Sequence, residues 1–288
     1  MKPFEIQFPE TIEQTVSLLT ANNSQIKPMS GGTALMLMMK AGIYEPESLV
    51  SLTKVNTLKG LTMNEHGELL IPAMTTLSEL EHSDLVQNHF GVISKTMKHL
   101  ANVRVRNVAC IGGALAHGDP HMDMPPLMTA LGAKIHIRSK DSSRSVPIEG
   151  FYEGYYTTKL KSDEIIESIS IPSIKNRQCV YIKCTTRVVD DWPTLGVAIN
   201  SKLNNQVFDS PIIVLSAVVE TPTRLLSVEN LLQGKSPSDQ LLLEAGELAS
   251  ISIDPQDDAR GSSAYKRQLI KIYVRRAIQK SLLEKAQS

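Results

Sequence analysis

Apolar Ile12, Val16 and Leu19 recur at helical spacing, and Thr11 and Gln14 have the spacing of a capping box, so the pattern predicts a first helix over residues 11–23. Residues 25–30 read as a short strand, broken by Gly31, Gly32 and Thr33, and helix formers follow over 34–42. A second strand is expected over 47–52. Residues 67–85 repeat the theme of strand, paired threonines and helix, and 91–102 predict another helix. Strands are expected over 133–139, 144–148 and 163–172, the last ending at Pro172. The polar stretch 173–178 then interrupts the pattern. Beyond it, 179–184 and 195–220 read as three or more strands, with a hairpin turn at Asn204 and Asn205. Helices are expected over 225–234, 238–251 and 264–286. Residues 1–57 thus form a small α/β part, 58–174 a second part, and 175–288 an α+β C-terminal domain with strands first and helices after.

Composition narrows the classes. The 288 residues are enough for two or three domains, 42% are hydrophobic, and 30 basic side chains balance 30 acidic ones. Nothing in that balance points to nucleic acid or an anionic membrane. The apolar run 212–219 is too short to span a bilayer, and the first residues lack the apolar centre of a signal peptide, so the cytoplasm is the expected compartment. Cys110, Cys179 and Cys184 show no CxxC spacing, which argues against a disulfide framework and against an iron–sulfur cluster or structural zinc held by this chain alone.

The candidate chemistry lies in two glycine pairs. "SGGTAL" and "CIGGAL" each read as a strand-like run entering a Gly-Gly turn. Glycine lets backbone N–H groups approach a phosphate closely, and a following helix start adds a favourable dipole. Neither is GxGxxG, so a Rossmann site is unsupported. Each pair is open to two readings, a phosphate loop or a tight turn; together they suggest a ligand with two phosphates held between subdomains. After the second pair come His117, Asp119, Pro120, His121 and Asp123. Two histidines four apart raise a metal reading, which Pro120 opposes by disfavouring a helix between them; the alternative is an exposed loop. Asp123 suits a ribose or ribityl hydroxyl, and Asp119 suits fixing the turn.

At this point the chain resembles a known family. "SGGTAL", "VRNVACIGGALAHGDPHMDMPP", "DEIIESISIP", "YIKCTTRVVDDWPTLGVA" and "SSAYKRQLIKIYVRRAI" occur in the order found in the FAD-binding medium subunits of the molybdenum hydroxylases, the group of xanthine dehydrogenase and aerobic carbon monoxide dehydrogenase. The resemblance covers nearly the whole chain. It implies an α+β protein: a two-subdomain FAD-binding fold of the vanillyl-alcohol-oxidase (PCMH) type, followed by a smaller α+β domain of the CO dehydrogenase flavoprotein C-terminal type. It implies FAD lying between the subdomains, with Met29, Ser30, Gly31, Gly32, Thr33 and Ala34 as one phosphate loop and Cys110, Ile111, Gly112, Gly113 and Ala114 as the other. Asp123 matches the family's FAD-contacting aspartate, and Ile166 and Lys183 fall near the flavin ring. Trp192 stands where relatives place an aromatic beside the isoalloxazine; core packing is the alternative.

Departures accompany the match. Many relatives carry Asn where Ala114 stands, which removes one side-chain contact. The first loop has Thr33 and no histidine for a covalent tether, so dissociable FAD is expected. Arg104 and Arg106 precede the second loop and either assist the pyrophosphate or lie on the surface. The methionine-rich 35–40 segment reads as core packing. The resemblance further implies an electron-transfer subunit with no acid, base or nucleophile of its own. Its partners would be a large molybdopterin subunit, which carries the molybdenum cofactor, and a small subunit with 2Fe-2S clusters, in a heterotrimer or a dimer of heterotrimers. Two other readings stand beside it: a stand-alone FAD-dependent oxidoreductase of a small organic substrate, and a nucleotide-binding protein without a redox role.

Overall fold

Three sheets follow one another along the chain, each with its own buried core, in a computed structural model that describes residues 1–21, 25–284 and 286. The first holds β1 (Glu5–Gln7), β2 (Ile26–Met29) and β3 (Ser48–Ser51), parallel and in the order β1-β3-β2. Helix α1 (Ile12–Ala21) buries Ile12, Val16 and Leu19 against it, the face its spacing predicts. Thr11 Oγ1 accepts from Gln14 N at 3.1 Å, but the Gln14 side chain accepts from Glu10 N at 2.8 Å and not from Thr11, so the predicted box is only half made. The expected extension of α1 over Asn22 and Asn23, and of the last helix over Lys285, lies outside the described residues. Helix α2 (Thr33–Lys40) leaves the first glycine pair.

The second sheet comprises β4 (Thr62–Met63), β5 (Leu69–Pro72), β6 (Lys134–Arg138), β7 (Ser143–Pro147) and β10 (Ile165–Ile171), antiparallel in the order β4-β5-β10-β6-β7. A small hairpin of β8 (Tyr152–Gly154) and β9 (Thr157–Thr158) precedes β10. Between β5 and β6 run six short helices: α3 (Leu77–His82), α4 (Asp84–His89), α5 (Gly91–Met97), α6 (Val103–Arg106), α7 (Ile111–Ala116) and α8 (Met124–Ala130). The threonine pair at 75 and 76 does start a helix: Thr76 accepts from Glu79 N at 3.1 Å while Glu79 Oε2 accepts from Thr76 N at 2.7 Å. Thr76→Ala is expected to cost about 1 kcal/mol in urea unfolding, because both arms of this box are present. Pro125 and Pro126 lie in the first turn of α8, where a missing N–H costs nothing.

The third sheet is antiparallel, β11 (Gln178–Cys184), β12 (Leu195–Asn204), β13 (Val207–Ser216) and β14 (Thr223–Arg224), covered by α9 (Leu226–Leu232), α10 (Asp239–Ser252) and α11 (Ser263–Leu283). The hairpin turn sits one residue later than its sequence suggested: Asn205 and Gln206 carry the positive φ values, 49° and 63°, and Asn204 ends the strand. Helix α8 joins the second and third parts. Ala130 packs on Ala198 and Val214, and Asn200 Nδ2 donates to Ala130 O at 2.9 Å.

Candidate cofactor site

A cleft of about 780 Å3 opens where β2, α2, α6 and α7 meet the 156–164 and 188–192 segments, a size within the range of cofactor sites. Both glycine pairs reach it, and they touch each other. A Cβ on Gly31 would lie 1.9 Å from Val108 O, and one on Gly113 would lie 2.2 Å from Ser30 Oγ. Each pair therefore carries a glycine whose added methyl group would force a neighbour to move, main chain at Gly31 and a side-chain hydroxyl at Gly113.

The two loops differ in what they offer a phosphate. Helix α2 begins after Gly32, which has φ 69° and no side-chain cap. The N–H groups of Thr33, Ala34 and Leu35 have no hydrogen-bond partner among the described residues and stand at the cleft with the positive end of the helix. The second pair is not the strand-like run and turn that its sequence suggested. Gly112 and Gly113 lie inside α7, and Cys110 makes only an isolated bridge with Thr76. Ile111 N donates to Thr75 O at 3.0 Å and Gly112 N to Ala73 O at 2.9 Å, so two of the expected donors are already bonded.

The cleft is lined by Met29, Ser30, Gly31, Gly32, Thr33, Ala34, Cys110, Gly113, Ala114, Asp123 and Trp192. Ile111, Gly112, Ile166 and Lys183 do not line it. Ile111 and Ile166 are buried in the core of the second sheet, and Gly112 packs against Ala73. Lys183 lines a separate cavity of about 370 Å3 that shares Asp123 with the cleft.

Asp123 is nearly fully enclosed, and each of its oxygens has one partner. Its Oδ1 accepts from Tyr181 OH at 2.8 Å and its Oδ2 from Lys183 Nζ at 3.2 Å; Lys183 also donates to Asp191 O at 2.8 Å. Burial pushes the carboxyl pKa up, and the ammonium and the hydroxyl oppose that. Tyr181 is a site residue that sequence reading missed. Its signal was present: it stands two residues before Lys183 on one strand, hence on the same face.

No group of three or more metal-ligating side chains occurs among the described residues. His121 Nδ1 lies 3.0 Å from Asp119 Oδ1 and its Nε2 3.2 Å from Asp258 Oδ2, tying the floor of the cleft to the C-terminal part. Asp119 also accepts from His121 N and Tyr156 OH, so it fixes the turn. His117 packs edge-on against Tyr156, with ring centres 5.2 Å apart. Burial lowers its pKa, with Asp119 opposing. Its ring should therefore be neutral at pH 7, and an NMR titration should give a midpoint below the ordinary 6.5.

Arg106 and the methionine-rich segment depart from their expected places, while Arg104 and Trp192 each take one of their two expected ones. Arg106 does not face the cleft: it turns inward, its Nε 2.8 Å from Glu81 Oε2, with further bonds to the Leu100 and Ala101 carbonyls. Arg104 is exposed and also away from the cleft. The methionine-rich helix is not packed as a core element, since only Met39 of α2 is buried while Leu35, Leu37 and Met38 line the cleft. Trp192, 41% exposed, is likewise not core; it sits at the cleft mouth with Arg260 5.6 Å from its ring centre.

An uncapped helix start, a long apolar wall and a second loop pressed against it suit a dinucleotide with an extended body. The family comparison agrees. The model described as "FAD binding domain in molybdopterin dehydrogenase" matches residues 2–174, and that described as "CO dehydrogenase flavoprotein C-terminal domain" matches 181–281. The chain belongs to the FAD-binding medium subunits of the molybdenum hydroxylases, the flavoprotein subunits of molybdenum-dependent oxidoreductases. It is 30% identical to the carbon monoxide dehydrogenase medium chain of Hydrogenophaga pseudoflava, with 96% of each chain covered, and 29% identical to the glyceraldehyde dehydrogenase medium chain of Sulfolobus acidocaldarius, with 93% and 94% covered. A solved structure of carbon monoxide dehydrogenase from H. pseudoflava superposes with a TM-score of 0.94 at 30% identity, covering 98% of this chain and 99% of that one. No described helix is long and apolar enough to cross a membrane.

Proposed function

We propose that this chain holds FAD without a covalent bond in the 780 Å3 cleft and serves as the electron-transfer subunit of a molybdenum-dependent dehydrogenase. The observation that carries this reading is the start of α2: three free N–H groups in a row, at a positive helix end, open to a cleft that the second glycine loop closes from the other side. Ser30, Thr33 and the N–H groups of 33–35 would hold the pyrophosphate. Lys27 and Lys161 stand at the same cleft and add positive charge. Leu37, Met38 and Tyr44 offer an apolar wall to a flat ring at that end, and Trp192 offers another near the mouth. No histidine stands in the first loop, which supports a dissociable cofactor.

When bound, FAD supplies the redox chemistry, exchanging electrons singly or in pairs. The chain's own part is to bind, orient and enclose it; no side chain is assigned as acid, base or nucleophile. Asp123, steadied by Tyr181 and Lys183, would accept from a ribityl hydroxyl on its cleft side through a lone pair that neither partner uses. Partners fitting this role are a large molybdopterin subunit and a small subunit whose 2Fe-2S clusters deliver electrons, in a heterotrimer or a dimer of heterotrimers. Division of the chain at 57/58 and 174/175 is supported by the sheets, since β3 ends at Ser51 and β4 begins at Thr62, while β10 ends at Ile171 and β11 begins at Gln178.

Reconstitution with FAD followed by gel filtration tests binding. Flavin absorbance should co-elute with the chain and leave as free FAD on denaturation. Folded protein that retains no flavin, alone or with its partners, would sink the proposal. Reduction of the bound flavin by a substrate-reduced partner complex tests the electron-transfer role.

A further inference from the structure

One turn of the C-terminal part reaches back to the cleft at two points. The turn between Asp258 and Gly261 closes on itself through two backbone bonds of 3.2 Å, and Asp258 Oδ1 accepts from Arg260 N at 2.8 Å. Asp258 Oδ2 pairs with the buried Lys266 at 2.7 Å and meets His121 Nε2 at 3.2 Å, which anchors the turn to the cleft floor. From this fixed base the Arg260 side chain extends over Trp192 at the cleft mouth. Its Nε is buried without a hydrogen-bond partner among the described residues, so the stack on the indole, and not a hydrogen bond at that nitrogen, accounts for its placement. The segment carrying Trp192 is otherwise held from below by Lys183, which donates to Asp191 O, while Val188 and Val189 are exposed.

We propose that Arg260 is a positioning residue: it holds Trp192 and the 188–192 segment across the mouth of the cleft, so that the C-terminal part sets how tightly a bound flavin nucleotide is enclosed. The second half of that statement rests on the FAD reading; the first does not. No acid–base role is involved, and Arg260 need not touch the ligand. The chemistry required is a cation over an indole face, which a neutral side chain of similar length cannot supply.

Trp192 is the sole tryptophan, so fluorescence excited beyond the absorption of the seven tyrosines reports on it alone. Acrylamide quenching of the FAD-free full chain should be stronger in Arg260→Met than in wild type, and Arg260→Lys should lie close to wild type. In reconstituted protein, FAD should leave Arg260→Met about two- to fivefold faster, the size of a partly exposed cation–π contact. Equal quenching in wild type and Arg260→Met would overturn the stack. Altered quenching with an unchanged FAD off-rate would overturn its role in enclosure. A wild-type chain that binds no FAD would sink the cofactor reading, yet the quenching comparison would still decide whether Arg260 holds Trp192. Equal unfolding midpoints of the Met and Lys variants keep a folding defect from imitating the expected result.

Discussion

Gly31→Ala should abolish practical FAD retention, whereas Gly113→Ala should weaken it far less. The added methyl group on Gly31 would lie 1.9 Å from Val108 O and 2.8 Å from Ala109 Cα, both main-chain atoms. Relief requires moving the backbone that leads into Cys110 and α7, so one substitution displaces both loops at once. Overpacking of this kind costs about 3 kcal/mol, and if that is spent on the bound geometry FAD affinity falls about a hundredfold. On Gly113 the obstacle is different: Ser30 Oγ at 2.2 Å, the end of a side chain with one torsion. Its hydroxyl can rotate away, so Gly113→Ala should cost far less, and in a Ser30→Ala background, where the obstacle is gone, the same substitution should cost nothing beyond the loss that Ser30→Ala itself brings. Flavin fluorescence titrations of the wild type, the three single variants and this double variant decide the matter. Equal affinities for Gly31→Ala and wild type would show that contact between the loops is not what shapes the cleft.

The second large effect is expected at Lys183. Lys183→Met leaves the Asp123 carboxylate buried with only Tyr181 to support it, and breaking one side of a buried pair costs about 3–5 kcal/mol. The loss should depend on pH with a definite sign. Burial already raises the folded-state pKa of Asp123, and removing the ammonium raises it further. A carboxyl with a raised folded pKa binds more protons folded than unfolded, so stability falls as pH rises from its unfolded value, about 4, towards its folded one. The deficit of Lys183→Met relative to wild type should therefore be smallest near pH 4 and grow towards neutrality. The double variant Lys183→Met, Asp123→Asn removes the stranded charge and should be more stable than Lys183→Met alone at pH 7. Urea unfolding across that pH range measures both. A pH-independent deficit would mean that packing, not charge, is what Lys183 contributes.

Local signals served well where local interactions decide the structure. The face of α1, the helix that follows the threonines at 75 and 76 and the helix start after Gly32 were all visible in spacing and residue type, because their partners lie within four residues. The second glycine pair was misread because its partners are distant. Gly112 donates to Ala73, and Gly113 meets Ser30 more than eighty positions upstream, which no window on the sequence displays. The same holds for α2, whose methionines resemble core residues until the cleft beside them is known. Ile166 and Lys183 entered the candidate site through family resemblance alone. One is core, and the other reaches the cleft only through Asp123. Arg260 had no signal, being one arginine on a polar turn.

Asp123 belongs to one half of the chain, while Tyr181, Lys183 and Trp192 belong to the other. That division sets a rule for anyone building hybrids. A chimera joined in the polar stretch at 173–178 exchanges the neutralising partners of a buried carboxylate along with the C-terminal half, and the donor of that half must bring a hydroxyl and an ammonium at the same two strand positions. A graft lacking either inherits a cofactor pocket whose central charge has lost its counterweight, so the seam for modular exchange lies after the Trp192 segment and not at the apparent linker.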